Sequence, residues 1–267
     1  MNILVTGHMG FIGSRVVKRY KELGHNVYEV NNGLEIDICS DRYIPDLQNL
    51  LSGNGIDVIS HHAAQSDVRK ALLNPEYDAK QNILATLKIL QVCKMFDVKK
   101  IIYASSGGAC YGNPENLPVL ETDLPNPISP YGLSKLVAEK YIKLSEISYT
   151  ILRYANVWGE DAKKGIYYIL RKNPEPRIYG TGETTRDYVH IDDVVEANVL
   201  ALHKGKNEIF NIGTGEEVSL NQLVNKYGCL HTNPIYFPKK KNEVERICLD
   251  NRKAKKMLGW VAKKRII

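Results

Sequence analysis

At 267 residues the chain is long enough for one large α/β unit, or for a main domain carrying a smaller lobe. Its 43% hydrophobic and 25% charged residues suit a soluble globular protein, and no run approaches the ~20 apolar residues of a membrane span. The five cysteines (Cys39, Cys93, Cys110, Cys229, Cys248) are scattered without a Cys-x-x-Cys pair, which argues against a disulfide framework or a zinc site and for a reducing cytoplasm.

From Met1 the chain runs directly into an apolar strand, so no leader is expected. Ile3–Val5 reads as a strand, Phe11–Leu23 as an amphipathic helix, Val27–Val30 as a strand and Asp41–Leu51 as a helix. Asp57–Ser60 is the next strand, followed by a long helical stretch ending near Phe96. Lys100–Ala104 is a strand, Pro130–Ser145 a helix with proline in its first turn, and Thr150–Arg153 a strand. This alternation predicts a doubly wound, Rossmann-type parallel sheet.

After Asn156, Gly, Pro and aromatic residues cluster around Trp158-Gly159 and 174–182, before a helix at Val194–Leu202 and a strand at Glu208–Ile212. The expected division is a main domain over 1–155 with a returning segment at 186–207. A smaller C-terminal substrate-binding lobe takes 156–185 and 208–267. The net charge of +6 is concentrated at the end, where eleven Lys and Arg stand against three acids from Lys239 to Ile267. Aromatic residues do not alternate with these lysines as base stacking would require, so the tail reads as a solvated helix face and a frayed end, not a nucleic-acid surface.

Gly7, Gly10 and Gly13 follow the first strand and open a helix. Glycines there permit a tight turn and close approach of a pyrophosphate to the free N–H groups of the helix start, including Phe11 and Ile12. The second strand should end on a group for the adenosine ribose, and Asn31 and Asn32 stand there. With Glu35 nearby and no adjacent Lys or Arg, a ribose hydroxyl is favoured over a ribose phosphate, hence NAD over NADP. Asp37, with Ile38, either bonds the adenine amino group or is a loop aspartate. Tyr131-Gly-Leu-Ser-Lys135 places a lysine four residues after a tyrosine, on the same helix face. A phenol ionises near pH ~10, and a neighbouring ammonium favours the phenolate.

Eight stretches then stand in order: Thr6-Gly-His-Met-Gly-Phe-Ile-Gly-Ser14, His61-His-Ala-Ala-Gln65, Ser105-Ser-Gly-Gly-Ala-Cys-Tyr-Gly112, Pro130-Tyr-Gly-Leu-Ser-Lys135, Leu152-Arg-Tyr-Ala-Asn-Val-Trp-Gly159, Arg186-Asp-Tyr-Val-His-Ile-Asp-Asp193, Asn211-Ile-Gly-Thr-Gly215 and Lys255-Lys-Met-Leu-Gly-Trp260. The chain thus resembles the extended short-chain dehydrogenase/reductases that act on nucleotide sugars, and among them the UDP-glucose 4-epimerases. The resemblance implies tightly bound NAD, with Tyr131 taking the 4-hydroxyl proton as hydride leaves the sugar and Lys135 bonding the nicotinamide ribose. It implies a transient 4-keto sugar that turns over before hydride returns. His62, Ala63, Ala64, Asn82 and Tyr154 would border the cofactor. Asn156, Tyr179, Arg186 and Lys240 would meet the nucleotide sugar, with Arg186 either on the pyrophosphate or paired with Asp187, Asp192 or Asp193. His61 and His62 read as packed side chains. No spacing suggests a metal site. A homodimer through the helices around Gln81–Phe96 and Pro130–Ser145 is expected, with no nucleic-acid or membrane partner.

The chain departs from that family at several points. Members place Ser or Thr where Gly107 stands, four residues before Tyr111, to relay a proton to the tyrosine. Either Ser106 takes that place, which the following glycines allow, or the relay is weakened. Lys240 replaces an arginine, and Ile247 stands at a position resembling the gate for N-acetylated sugars. The short link after Asn31 resembles that of the 4-keto-sugar reductases, which supply one alternative; a non-catalytic NAD-binding scaffold is another. Sugar dehydratases are disfavoured because Gly108-Ala109 replaces their acidic pair.

Overall fold

The computed structural model describes residues 1–30, 43–172, 177–227, 234–239 and 243–267. Six strands, β1 (Asn2–Thr6), β2 (Asn26–Glu29), β3 (Val58–His61), β4 (Lys100–Ser106), β5 (Ser148–Tyr154) and β10 (Glu208–Ile212), form one parallel sheet in the order β10-β5-β4-β3-β1-β2. Alternate side chains pack on opposite faces. Ile3 and Val5 join the layer of α1 (Phe11–Glu22) and α9 (Ile191–His203), while Leu4 joins α2 (Tyr43–Asn54), α5 (Ala85–Met95) and α7 (Pro130–Leu144). The sheet is thus doubly wound. Glu208–Ile212 pairs with β5, so the chain's return to the main layer extends past residue 207.

The sheet order reverses between β1 and β3, which opens a crevice at the carboxyl ends of the strands. The loops after β1, β3, β4 and β5 all reach that edge. The long helical stretch expected after β3 is instead broken into α3 (Val68–Leu73), α4 (Pro75–Ala79), a π turn (Lys80–Leu84) and α5. Pro75 forces the first break: the Asn74 side chain accepts the Tyr77 N–H at 3.0 Å and starts a new helix.

The short α6 (Gly107–Cys110) follows β4, and beyond β5 lie short strand pairs: β6 (Asn156–Trp158) with β9 (Tyr188–His190), β7 (Arg177–Tyr179) with β12 (Ile235–Phe237), and β8 (Thr185–Arg186) with β11 (Val218–Ser219). With α8 (Ile166–Lys172) and α10 (Leu220–Tyr227) the first of these pairs encloses a small core of Trp158, Tyr167, Leu170, Tyr188 and Leu223.

From Glu243 onward the basic tail is not frayed. Trp260 is buried and donates its indole N–H to Asp193 O at 2.7 Å, and the Asp193 carboxylate accepts the backbone N–H groups of Lys263 and Lys264. Its charges are largely used at home. Lys239 pairs with Glu245, Arg246 with Glu217, Arg252 with Asp250, Lys253 with Glu208, Lys264 with Asp192 and Arg265 with Glu216. Sequence composition alone could not show this, because most of those acids lie far away in the chain.

Candidate active site

The glycine turn after β1 is built for close approach. Gly7 has φ +69°, and a Cβ on it would fall 2.6 Å from the Ala63 nitrogen. A Cβ on Gly13 would fall 2.1 Å from Gly7 O. Gly10 precedes α1 without a side-chain cap, and the first turn carries no acid, so its N–H groups suit an anion. His62 Nδ1 is buried with no hydrogen-bond partner among the described residues. This cradle fits the pyrophosphate of a dinucleotide.

Beneath it, the residues after β3 are fixed by a directional chain of bonds. Thr6 Oγ1 accepts the Ala63 N–H at 3.2 Å and meets His61 Nδ1 at 2.7 Å. His61 Nε2 meets Thr86 Oγ1 at 3.3 Å, and the Thr86 hydroxyl donates to Asn82 O at 2.7 Å. Since that hydroxyl's proton is already given away, His61 must donate from Nε2 and accept at Nδ1. Burial holds His61 well below its ordinary pKa and pulls His62 down to about 3, so both are neutral packing groups.

Tyr131 and Lys135 stand in the first turns of α7, whose start is capped by Ser129 Oγ on the Gly132 N–H at 3.1 Å. Lys135 is buried, donates to Ala104 O at 2.8 Å and lies 4.7 Å from the centre of the Tyr103 ring. Burial lowers its ammonium to about 8, against the nearby Cys110, Glu139 and Asp78. The Tyr131 phenol does not show the lowered pKa expected from Lys135. Burial raises it, Cys110 adds to the rise, and the nearby Ser106 hydroxyl works the other way. Of the serine-loop hydroxyls, Ser105 is bonded to Glu139 and Ser106 is the one that bears on Tyr131. The place of the missing hydroxyl at Gly107 is filled: a Cβ there would lie 2.6 Å from Leu249 Cδ1.

A cleft of about 230 Å³ opens beyond β5, lined among others by Asn156, Trp158, Tyr167, Arg186, Tyr188 and Glu243. The Asn156 amide reaches toward the serine loop, 3.2 Å from where a Gly108 Cβ would stand. Arg186 pairs with none of the neighbouring aspartates. Asp187 accepts from Thr214, Gly215 and Leu249, whereas Arg186 bonds Thr185 O at 2.8 Å and faces Glu243 at 3.8 Å.

Other expected residues are held by contacts of their own. Tyr179 packs on Phe237 with ring centres 5.5 Å apart, outside the cleft lining. Tyr154 stands beside Ser106 in the sheet register, but its hydroxyl is bonded to Asn198 of α9. Asn82 uses its amide on Gln65, at 3.1 Å to the N–H and 3.0 Å to the carbonyl. Ala64 follows in the same loop. Asn31, Asn32, Asp37, Ile38 and Lys240 lie outside the described residues.

Sequence reasoning missed the ion pair behind the site. Glu139, on the α7 face that carries Lys135, bonds Arg153 at 2.6 Å and accepts from Ser105 at 2.5 Å. Its position four residues after Lys135 was the available signal.

A family model described as the NAD dependent epimerase/dehydratase family matches residues 3–213. The chain is 43% identical, over 97% of its length and 92% of the relative's, to a Methanocaldococcus jannaschii protein that carries UDP-glucose 4-epimerase as a provisional name. The crystal structure of UDP-glucose 4-epimerase with UDP-glucose from Thermotoga maritima matches with a TM-score of 0.92 at 38% identity, covering 100% of this chain and 95% of that one. UDP-glucuronic acid 4-epimerase from Bacillus cereus, in complex with UDP-glucuronic acid and NAD, gives 0.87 at 28% identity over 100% and 95%.

Proposed function

The chain belongs to the NAD dependent epimerase/dehydratase family, and on that premise we propose that it is a nucleotide-sugar 4-epimerase interconverting UDP-glucose and UDP-galactose. The observation that carries the reading is the placement of Tyr131 and a buried Lys135 one turn apart at the start of α7, with Lys135 bonded to Ala104 O of β4. A relative with UDP-glucose bound supports the choice of sugar.

NAD, when bound, supplies a hydride acceptor that returns what it takes, so C4 of the sugar can be oxidised and re-reduced without net consumption. Gly7, Gly10, Gly13 and the first-turn N–H groups of Phe11 and Ile12 hold its pyrophosphate. Tyr131 accepts the 4-hydroxyl proton and later gives it back, with Ser106 passing it between sugar and phenol. A buried phenol ionises only with positive charge close by; since burial prevails over Lys135 at Tyr131, the positive nicotinamide ring of bound NAD would have to add to the Lys135 ammonium. Arg186 binds the sugar-nucleotide pyrophosphate on the cleft side, exchanging the distant Glu243 for charge-assisted bonds.

Two copies pair through α5 and α7 in this reading. Leu133, Tyr141 and Leu144 are exposed apolar residues of α7, as Met95 is of α5 and Leu84 of the turn before it. Burial of the free Cys93, Cys110 and Cys248 suits a reducing cytoplasm.

Incubation of the purified protein with UDP-glucose and no added reductant, followed by chromatography, tests the reading. UDP-galactose should appear with the wild type and not with Tyr131→Phe. Turnover by Tyr131→Phe at the wild-type rate would refute the mechanism, and consumption of added NADPH would make the protein a reductase.

A further inference from the structure

Among the buried acids, Asp78 on α4 has surroundings that packing does not require. It is 0% exposed, and its bonds come from three neutral donors. Ser134 Oγ donates to one carboxylate oxygen at 2.7 Å, and Asn82 Nδ2 and Gln65 Nε2 donate to the other at 3.0 and 2.9 Å. No Lys or Arg among the described residues forms a salt bridge with it. A buried carboxylate held only by neutral groups carries a desolvation cost that neutral bonds offset incompletely.

The three donors come from three parts of the site. Ser134 is buried and immediately precedes Lys135 on α7. Asn82 sits in the π turn, an irregularity that recurs at functional sites. Gln65 ends the segment that begins at His62, and Asn82 also grips its backbone from both sides. One carboxylate therefore joins the Tyr131 helix to the wall of the glycine cradle. Its charge also bears on both Tyr131 and Lys135. The other titratable groups facing that pair are Cys110 after β4, Glu139 on α7, His61 and His62 at the end of β3, and Tyr103 on β4.

We propose that Asp78 is a positioning residue for the Tyr131–Lys135 pair: through Ser134 it fixes the first turns of α7 against the His62–Gln65 segment, and so sets where both side chains stand relative to the nicotinamide end of the cofactor. The proposal rests on the reading of Tyr131 and Lys135 as reacting groups.

Two variants separate its components. Asp78→Asn keeps the shape and removes the charge, while Ser134→Ala keeps the charge and removes the link to α7. In NAD-loaded, folded enzyme each should lower kcat about tenfold or more with KM changed by less than about twofold, because neither residue lines the cleft of Arg186. The double variant should be no worse than the worse single one, as for residues acting through one contact. A second readout does not depend on turnover. Affinity for NADH should fall about tenfold in both variants while affinity for ADP-ribose, which lacks the nicotinamide, stays within about twofold. Should Asp78→Asn fail to fold, Ser134→Ala decides alone. Losses that add in the double variant, or a wild-type ratio of NADH to ADP-ribose affinity in Ser134→Ala, overturn the proposal. A wild type inactive on every nucleotide sugar would defeat the proposed function, and the affinity ratio would still decide the role of Asp78.

Discussion

Removing the Glu139 carboxylate should be among the most damaging single changes in this protein. The Glu139 and Arg153 side chains are 2% and 3% exposed. Burial works against the Arg153 charge, and the bonds from Glu139 more than restore it. Glu139→Ala deletes contacts from Arg153 Nε at 3.0 and 3.2 Å and from Nη2 at 2.6 Å, as well as the Ser105 bond at 2.5 Å. The guanidinium is then left with the Tyr111 hydroxyl at 2.8 Å. Breaking a buried pair from one side costs about 3–5 kcal/mol. At about 2–4 °C per kcal/mol for a chain of this size, the unfolding midpoint should fall by about 6–20 °C. Adding Arg153→Met removes the stranded charge and should recover most of the loss. Circular dichroism through thermal and urea unfolding reads both variants. A Glu139→Ala protein within about 1 kcal/mol of wild type, the scale of a surface pair, would refute the reasoning, as would a double variant no more stable than the single.

Ser106→Ala should lower kcat by about 10²–10⁴ with little change in KM, and steady-state kinetics will show it. Gly107→Ser should not rescue that loss, because its Cβ meets the Leu249 side chain at 2.6 Å. Acid should destabilise the fold through the neutral histidines. Unfolded imidazoles take up a proton near the ordinary value of 6.5, whereas folded His62 does so only near 3 and folded His61 also stays well below 6.5. Stability present above pH ~6.5 is therefore lost as pH falls, at about 1.4 kcal/mol per pH unit for each group. Urea midpoints between neutral and mildly acidic pH measure that slope, and His62→Gln should remove one group's share. Leu133→Lys combined with Leu144→Lys should give a folded monomer by light scattering, and a monomeric wild type would overturn the dimer.

The sheet was legible because its strands are short apolar runs punctuated by glycine and helix starts, so Ile3–Val5 or Lys100–Ala104 announces itself locally. The helix after β3 was less so. Asn74-Pro75 marks its break, but the π turn depends on burying Gln81 and Asn82 against other elements, which no local period records. The tyrosine helix and the glycine cradle were legible for the same local reason. What was hidden is long-range: the Leu249 side chain against Gly107, the Glu243 carboxylate across from Arg186, and the acids that pair the basic tail. Tyr179 lies in a strand paired in register with Ile235–Phe237, a long-range pairing that its Gly-rich setting does not announce.

The central claim is a closed redox cycle in which what leaves C4 of the sugar returns to it. UDP-glucose carrying deuterium at C4, incubated with the purified NAD-loaded protein and no other cofactor, tests this directly. The account predicts UDP-galactose that retains the deuterium at C4. Loss of the label to water, or product that forms only when reductant is added, would contradict it.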